Sequence, residues 1–377
     1  MHNSWIAIDS ENTIWNKGDP YDQRNVNVCW SWKTPEEDGV WWPEEGVDLF
    51  LNRVRNTKTI VGFNLAYDLA WLWKLGYVAP AAQRFFCCQV AEYILDNQKT
   101  PYPSLDRVAQ KYLNQQKLAV VEDEYWGKGI NTDAIPRPVL AEYTLQDIRI
   151  TAGVYLKQLE LIPASKKTLI SLAMQDMVVL ADMRRNGMKF DFNHARRESE
   201  KITAEISEIK CKLDLLHTVP SFNWASNDHL SSLFYGGTIV TDERVPVGVY
   251  KSGAKVGQIR YKVEKKEHTL PRIFKPLRGT ELKKAGYWST DDDTLKKLRG
   301  GNRDLLEGVK RIRELSKLQG TYFDGLPNLA KEHNWPEGYI HGQFNQVVTR
   351  TGRLSSTKPN LQNNPEVADR CFISRYE

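Results

Sequence analysis

The segment Trp5-Ile6-Ala7-Ile8-Asp9-Ser10-Glu11 is a short apolar run ending in acid, and no other stretch constrains the fold as much. In a strand, residues i and i+2 point to the same face, so Asp9 and Glu11 share one side of a strand end. Two carboxylates that close repel each other unless one is protonated or a cation sits between them. Oxygen-only ligation suits a hard divalent ion, magnesium or manganese. The alternative is a strand end whose acids are simply solvated.

The first 160 residues alternate strand and helix signals. Val26, Val28, Trp30 and Trp32 alternate with Asn27, Cys29 and Ser31, the period-2 pattern of a strand. Thr59-Ile60-Val61-Gly62 reads as a short buried strand. Ala66 to Leu75 reads as a helix with Leu65, Leu69, Leu72 and Trp73 inward and Gly76 ending it. Ser104 is placed to cap a helix with Leu105, Val108, Ala109, Tyr112 and Leu113 on one face. Pro138 opens a long helix predicted to reach Leu161. Residues 1–160 are therefore expected to form an α/β layer domain.

From about residue 164 the periodicity turns helical. One helix is predicted from Ser165 to Asn186, stopped by Gly187. A second runs from about His194 to Leu216, with Ile202, Ile206, Ile209, Leu213 and Leu216 spaced for an antiparallel helix pair. Residues 241–285 hold 12 Lys and Arg against 5 Asp and Glu and read as hairpins or mobile loops. Ser289 and Thr290 are expected to start a short helix, and a last long helix is predicted from about Asp304 to Ala330. Its inward face would carry Leu305, Val309, Ile312, Leu315 and Leu318. The final 40 residues turn to strand and loop.

The net charge of +5 hides an asymmetry. Residues 1–160 carry 16 basic and 21 acidic side chains, whereas residues 161–377 carry 36 and 26. That division suits a polyanion held by one part and processed by the other. No apolar stretch approaches the roughly 20 residues of a membrane helix. The apolar run starts within five residues of Met1, so no signal peptide is expected. Cys29, Cys87, Cys88, Cys211 and Cys371 form no disulfide framework and read as reduced thiols of a cytoplasmic protein.

Further acids recur in telling positions. Gly62-Phe63-Asn64-Leu65-Ala66-Tyr67-Asp68 puts a carboxylate where a strand hands over to a helix, and Tyr143 and Asp147 fall on one helical face. Singly, Asp68 is explained by the helix dipole and Tyr143 by the core. As an ordered set, Asp-x-Glu, Asn-x-x-Tyr-Asp and Tyr-x-x-x-Asp resemble the DEDD 3′–5′ exonucleases with a tyrosine in the third motif. The resemblance implies a ribonuclease H-like mixed sheet flanked by helices. It also implies two divalent ions, Mg2+ or Mn2+, held by Asp9, Glu11, Asp68 and Asp147. By the same resemblance Tyr143 would orient the attacking water, and Asn64 would lie near the terminal nucleotide. The chain departs from many relatives after Phe86, carrying Cys87-Cys88 in place of Asp-Thr; those positions are not metal ligands in the family.

The text from Tyr339 to Gln346, then Thr349-Arg350-Thr351-Gly352-Arg353-Leu354-Ser355-Ser356 and Pro359 to Pro365, is very similar to the segment that opens the palm of family A DNA polymerases, the DNA polymerase I-like and phage enzymes. Arg353, Gln362 and Asn363 are the candidates for sensing duplex shape through minor-groove acceptors. Ser221-Phe222-Asn223, Trp288-Ser289-Thr290-Asp291, Lys317-Leu318 and Thr321-Tyr322 follow the family's thumb pattern. The resemblance implies an exonuclease domain over 1–160, a thumb over 161–335 with a basic insertion at 241–285, and the start of a palm over 336–377. In the family the palm aspartates and the fingers lie beyond this point. DNA synthesis would then need a second chain that carries them, and a processivity factor is a further candidate partner. The expected activity is proofreading removal of 3′ nucleotides from primer–template or single-stranded DNA. The rivals are a stand-alone exonuclease acting on DNA or RNA, and a DNA-binding subunit with vestigial carboxylates.

Overall fold

The computed structural model describes residues 4–217 and 219–374. They form two compact units, one made of residues 4–192 together with 326–374 and the other of residues 193–325. The architecture is mixed α/β.

The first unit is built on a five-stranded sheet in the order β3-β2-β1-β4-β5. Its strands are β1 (Trp5–Asn12), β2 (Asn27–Lys33), β3 (Asp38–Trp41), β4 (Thr59–Gly62) and β5 (Arg84–Cys87). β1, β2 and β3 pair antiparallel, while β1, β4 and β5 run parallel. Helices α1 (Val47–Arg55) and α2 (Leu65–Lys74) precede and follow β4. A parallel neighbour requires such a crossover. Trp5, Ile6, Ile8, Trp30, Ile60 and Val61 are buried, so both faces of the central strands are covered.

Pairing register assigns those faces. Asp9 lies opposite Ser31, so their side chains share one face. On that face Thr144 of α6 (Arg137–Leu161) donates from Oγ to Ser31 Oγ at 2.8 Å, both atoms buried. Ser10 points the other way, towards α2. Before α6 come α3 (Cys88–Leu95), α4 (Leu105–Leu113) and α5 (Val120–Glu124), and after it α7 (Ala164–Asn186). Ser104 caps α4 as expected, its Oγ accepting from the Arg107 amide at 3.3 Å. Gly187 ends α7 with φ +63°, close to the predicted stop.

The chain returns to this unit after residue 325. Strand β6 (Met188–Lys189) waits there for a later partner. The second unit then begins with α8 (Phe192–Asp214), α9 (Asn227–Tyr235) and a long antiparallel hairpin of β7 (Gly237–Val249) and β8 (Ile259–Leu270). Helices α10 (Asp292–Lys297) and α11 (Arg303–Leu318) complete it. Gln319 Nε2 reaches Ser199 Oγ at 2.9 Å, Arg311 Nε reaches Glu205 at 2.7 Å, and a Cβ on Gly308 would lie 3.0 Å from Leu213. As α8 ascends α11 descends, an antiparallel pair. Of the predicted α8 stripe, Ile202, Ile206 and Leu213 are buried, whereas Leu216 is exposed beyond the helix end.

Two helix boundaries differ from expectation. Asp291, not Ser289 or Thr290, caps α10 by accepting from the Thr294 amide at 2.7 Å. The predicted helix to Ala330 breaks into α11, a π turn over Gln319–Phe323, and α12 (Gly325–Glu332). Gly320 and Gly325 weaken helix there, and Gln319 spends its side chain on α8 instead.

Back in the first unit, β9 (Tyr339–Ile340) pairs with β6, β10 (Gln343–Asn345) with β11 (Ser355–Thr357), and α13 (Glu366–Asp369) follows. Tyr93 Oη donates to the Thr349 carbonyl at 2.6 Å, and the Tyr102 amide to that of Val347 at 2.9 Å. The five cysteines are free thiols, and no helix among the described residues is long and apolar enough to cross a membrane.

Candidate active site

The site is set by a mismatch in strand length. β1 runs to Asn12, whereas its pairing with β4 ends at Ala7 and Val61. The Ser10 amide therefore has no ladder partner on that side, and a buried N–H must find one. Asp68, in the first turn of α2, supplies it: Oδ1 accepts from Ser10 N at 3.0 Å and from Ser10 Oγ at 2.8 Å. The turn that brings α2 in is tight. Asn64 takes the left-handed conformation at φ +61°, which asparagine tolerates, and a Cβ on Gly62 would lie 2.8 Å from Leu65.

On the opposite face, Asp9 and Glu11 look towards α6, which the Thr144–Ser31 bond pins to β2. Tyr143 and Asp147 stand one helical turn apart on α6, as their spacing predicts. Asp9, Glu11, Tyr143 and Asp147 line one cleft of about 410 Å³. Trp126 closes on the Tyr143 ring edge-on, with centroids 5.8 Å apart.

Charge is crowded here. Burial and the neighbouring Asp147 push the Asp9 carboxyl up to about 7, against the pull of Lys117. Burial, then Asp9 and Asp147, raise Glu11 well above the carboxylate range. Burial and Asp9 raise Asp68 in spite of its bonds to Ser10. Asp147 is raised by burial, with Lys117 opposing. Burial and the surrounding acids also raise the Tyr143 phenol, so it is a neutral O–H.

Sequence reasoning missed Lys117. Its ammonium lies 2.8 Å from Asp147 Oδ2 and donates to Tyr143 Oη at 3.1 Å. It follows α4 in the polar run Asn114-Gln115-Gln116-Lys117, which carries no periodicity to flag it. Ser10 was also missed, although its place between the two acids was visible.

The donor set fits a hard divalent cation. It is all oxygen, its members repel one another, and Asp147 Oδ1 is buried without a hydrogen-bond partner. Among the described residues, however, no three acidic, imidazole or thiol side chains converge as a finished cage. Protein donors hold two of the acids instead: Ser10 on Asp68 and Lys117 on Asp147.

The remaining predicted residues lie elsewhere. Asn64 lines a neighbouring cleft of about 300 Å³ with Gln343, Asn345 and Gln346; Lys17 and Tyr67 border both clefts. Tyr67 Oη donates to the Gly18 carbonyl at 2.9 Å, which fixes the shared wall. Arg353, Gln362 and Asn363 are exposed and line neither cleft. Cys87 and Cys88 are buried at the junction of β5 and α3.

Comparison with known proteins gives matches along the chain. Residues 2–161 match the family model described as 3′–5′ exonuclease, and residues 256–374 the model of DNA polymerase family A. DNA polymerase I of Bacillus subtilis is 28% identical over 286 residues, covering 73% of this chain and 26% of that protein. DNA polymerase I of Pseudomonas aeruginosa is 27% identical over 317 residues, 82% of this chain and 30% of that one. The chain thus spans about a quarter to a third of the length of these relatives. Among solved structures, the POL domain of Pol1 from M. smegmatis, in complex with DNA primer-template and dNTP, covers 99% of this chain and 55% of its own. Its TM-score is 0.65 at 15% identity, a likeness of fold.

Proposed function

Because the chain joins a 3′–5′ exonuclease-family domain to a segment of DNA polymerase family A, we propose that it hydrolyses nucleotides from the 3′ ends of DNA as a proofreading module. The observation that carries the reading is the meeting of Asp9, Glu11, Tyr143 and Asp147 in one cleft, with Asp68 at the strand edge beside them.

Asp9, Glu11, Asp68 and Asp147 would hold two divalent ions, magnesium or manganese. Such ions supply the positive charge and Lewis acidity that in-line attack on a phosphodiester requires. The chain's own groups do the rest. Tyr143 offers a neutral phenol whose oxygen can accept from the attacking water and whose proton can be donated onward, so it orients the nucleophile. Trp126 packs edge-on against its ring and steadies its orientation. Asn64 and the adjoining cleft would receive the terminal nucleotide and the strand behind it.

In this reading residues 1–160 form a ribonuclease H-like exonuclease domain, a reading supported by the mixed five-stranded sheet and the helices that follow its strands. Residues 161–335 correspond to a thumb with a basic hairpin inserted, and residues 336–377 to the start of a palm. Arg353, Gln362 and Asn363 would touch duplex DNA.

The test is degradation of a 3′-labelled single-stranded DNA in Mg2+, beside the matched RNA. Wild type should release mononucleotides from DNA, and Asp9→Ala should lose about a hundred- to a thousand-fold in rate, the order that removing one group stabilising transition-state charge costs. Undiminished cleavage by Asp9→Ala would remove that residue from the mechanism. Preference for RNA would point to a ribonuclease.

A further inference from the structure

Lys117 stands inside the acidic cleft, and the reading above gives it no task. Its backbone is fixed, since its amide donates to Asp106 Oδ1 at 3.0 Å. Its ammonium sits 2.8 Å from Asp147 Oδ2 and 3.1 Å from Tyr143 Oη, with Glu122 Oε1 3.9 Å away. No other lysine or arginine is ion-paired with Asp9, Glu11, Asp68 or Asp147 among the described residues. The side chain is 23% exposed, so part of it reaches solvent.

We propose that Lys117 is an internal counter-ion that competes with the divalent cation for Asp147 and, once displaced, turns to the cleft mouth to meet a phosphate of the bound strand. The proposal rests on the nuclease reading above.

The argument is geometric. An ammonium and a divalent cation carry like charge, and in a poorly solvated cleft they cannot share one carboxylate oxygen. Asp147 has a second oxygen, Oδ1, that is buried and unpartnered, so a cation has a foothold before the ammonium leaves. Lysine is suited to leave, being a point charge on a flexible four-carbon stem. Glu122 gives it somewhere to go, because its carboxylate is 61% exposed and already within 3.9 Å. One displacement then has two effects. Tyr143 Oη loses the donor that occupies it and becomes free to bond water. A positive charge also arrives where the substrate backbone enters. Without an ion, the ammonium holds Asp147 Oδ2 and the phenol oxygen and leaves Oδ1 open.

The experiment follows the thermal unfolding of wild type, Lys117→Met, Lys117→Arg and Glu122→Gln in a Mn2+ titration without DNA, with exonuclease kinetics alongside. A residue that merely supports the site would weaken metal binding when removed, or leave it unchanged. A competitor does the opposite. Lys117→Met should reach half-saturation at about ten-fold lower Mn2+ by loss of a linked competing charge, yet turn DNA over more slowly at saturating metal and with a higher KM. Lys117→Arg keeps the charge and should fall between the two. Glu122→Gln removes the second resting place, and should raise the half-saturating Mn2+ by about three-fold on the same linkage. Equal or weaker Mn2+ binding by Lys117→Met overturns the proposal. If that variant does not fold, an unchanged midpoint in Glu122→Gln overturns it instead. A wild type with neither a Mn2+-dependent midpoint nor nuclease activity would fail the nuclease reading itself; an active wild type with indifferent variants fails this inference alone.

Discussion

At the scale of single residues, the cleft trades stability for chemistry. Glu11 is 7% exposed, and burial with the repulsion of Asp9 and Asp147 outweighs the pull of Lys117 on its charge. Glu11→Gln should stabilise the metal-free protein by about 1 kcal/mol, as removal of a crowded buried charge does. It should also cut exonuclease rate by at least about a hundred-fold. Calorimetry in EDTA beside the rate assay checks both signs. Asp19 is the contrasting buried acid. Burial alone would raise it, but hydrogen bonds from His333 Nδ1 at 2.7 Å and Trp335 Nε1 at 2.8 Å, with the Arg184 guanidinium at 3.1 Å, hold it at about 2. An ionised carboxylate only accepts, which places the proton on His333 Nδ1. The folded-state value lies below the unfolded 3.8, so this stability is present above pH 4 and is lost as pH falls towards 2. Asp19→Asn should therefore cost about 2 kcal/mol at pH 7, and the gap from wild type should narrow in acid melts between pH 4 and 2. The metal-type acids could be read from sequence because motif spacing carries them. Lys117 could not, because no local pattern marks a lysine whose partners lie 26 and 30 positions away.

At the scale of elements, the sequence was clearest where amphipathic period and caps agree. Ser104 capping α4 follows that agreement, whereas α2 was legible from its apolar face and α6 from the proline at its start, neither having a side-chain cap. It was least clear where a side chain from another element intervenes, as in the break between α11 and α12. There Gln319 bonds Ser199 and Thr203, and a Cβ on Gly325 would lie 2.4 Å from the Gly320 carbonyl. The basic stretch resolved into the β7–β8 hairpin. Near its base, Glu243 pairs with Lys266 and His268. Its outer half, residues 244–263, has five basic and no acidic side chains, with Tyr250 and Tyr261 exposed. Among the described residues Lys251, Lys255 and Arg260 have no ion pair. If this element holds a nucleic-acid backbone, Lys251→Glu with Lys255→Glu and Arg260→Glu should weaken DNA binding. It should also flatten the slope of log K against log salt by about 0.9 per lost phosphate contact. An unchanged slope would mark the hairpin as solvated surface.

At the scale of the whole molecule, the chain leaves its first unit at residue 193 and returns at 326. The return is fastened by the Asp19 cluster, by β6 with β9, and by Tyr93 on the Thr349 carbonyl. Asp19→Asn should accordingly speed amide exchange in residues 339–347 and leave α11 unaffected, a pattern that hydrogen exchange by mass spectrometry resolves. Equal acceleration in α11 would mean that the two units unfold together. What the sequence determined alone is local: which stretches are strand or helix, which acids share a face, and which family motifs they spell. Those properties depend on side-chain period and on neighbours within a few positions. Tertiary structure decided what depends on distant partners. It put Asp68 on the orphaned Ser10 amide, Lys117 on Asp147 and Tyr143, and residues 326–374 against the first unit. A buried polar group must be satisfied by whatever the fold brings within reach, and sequence proximity does not report that distance.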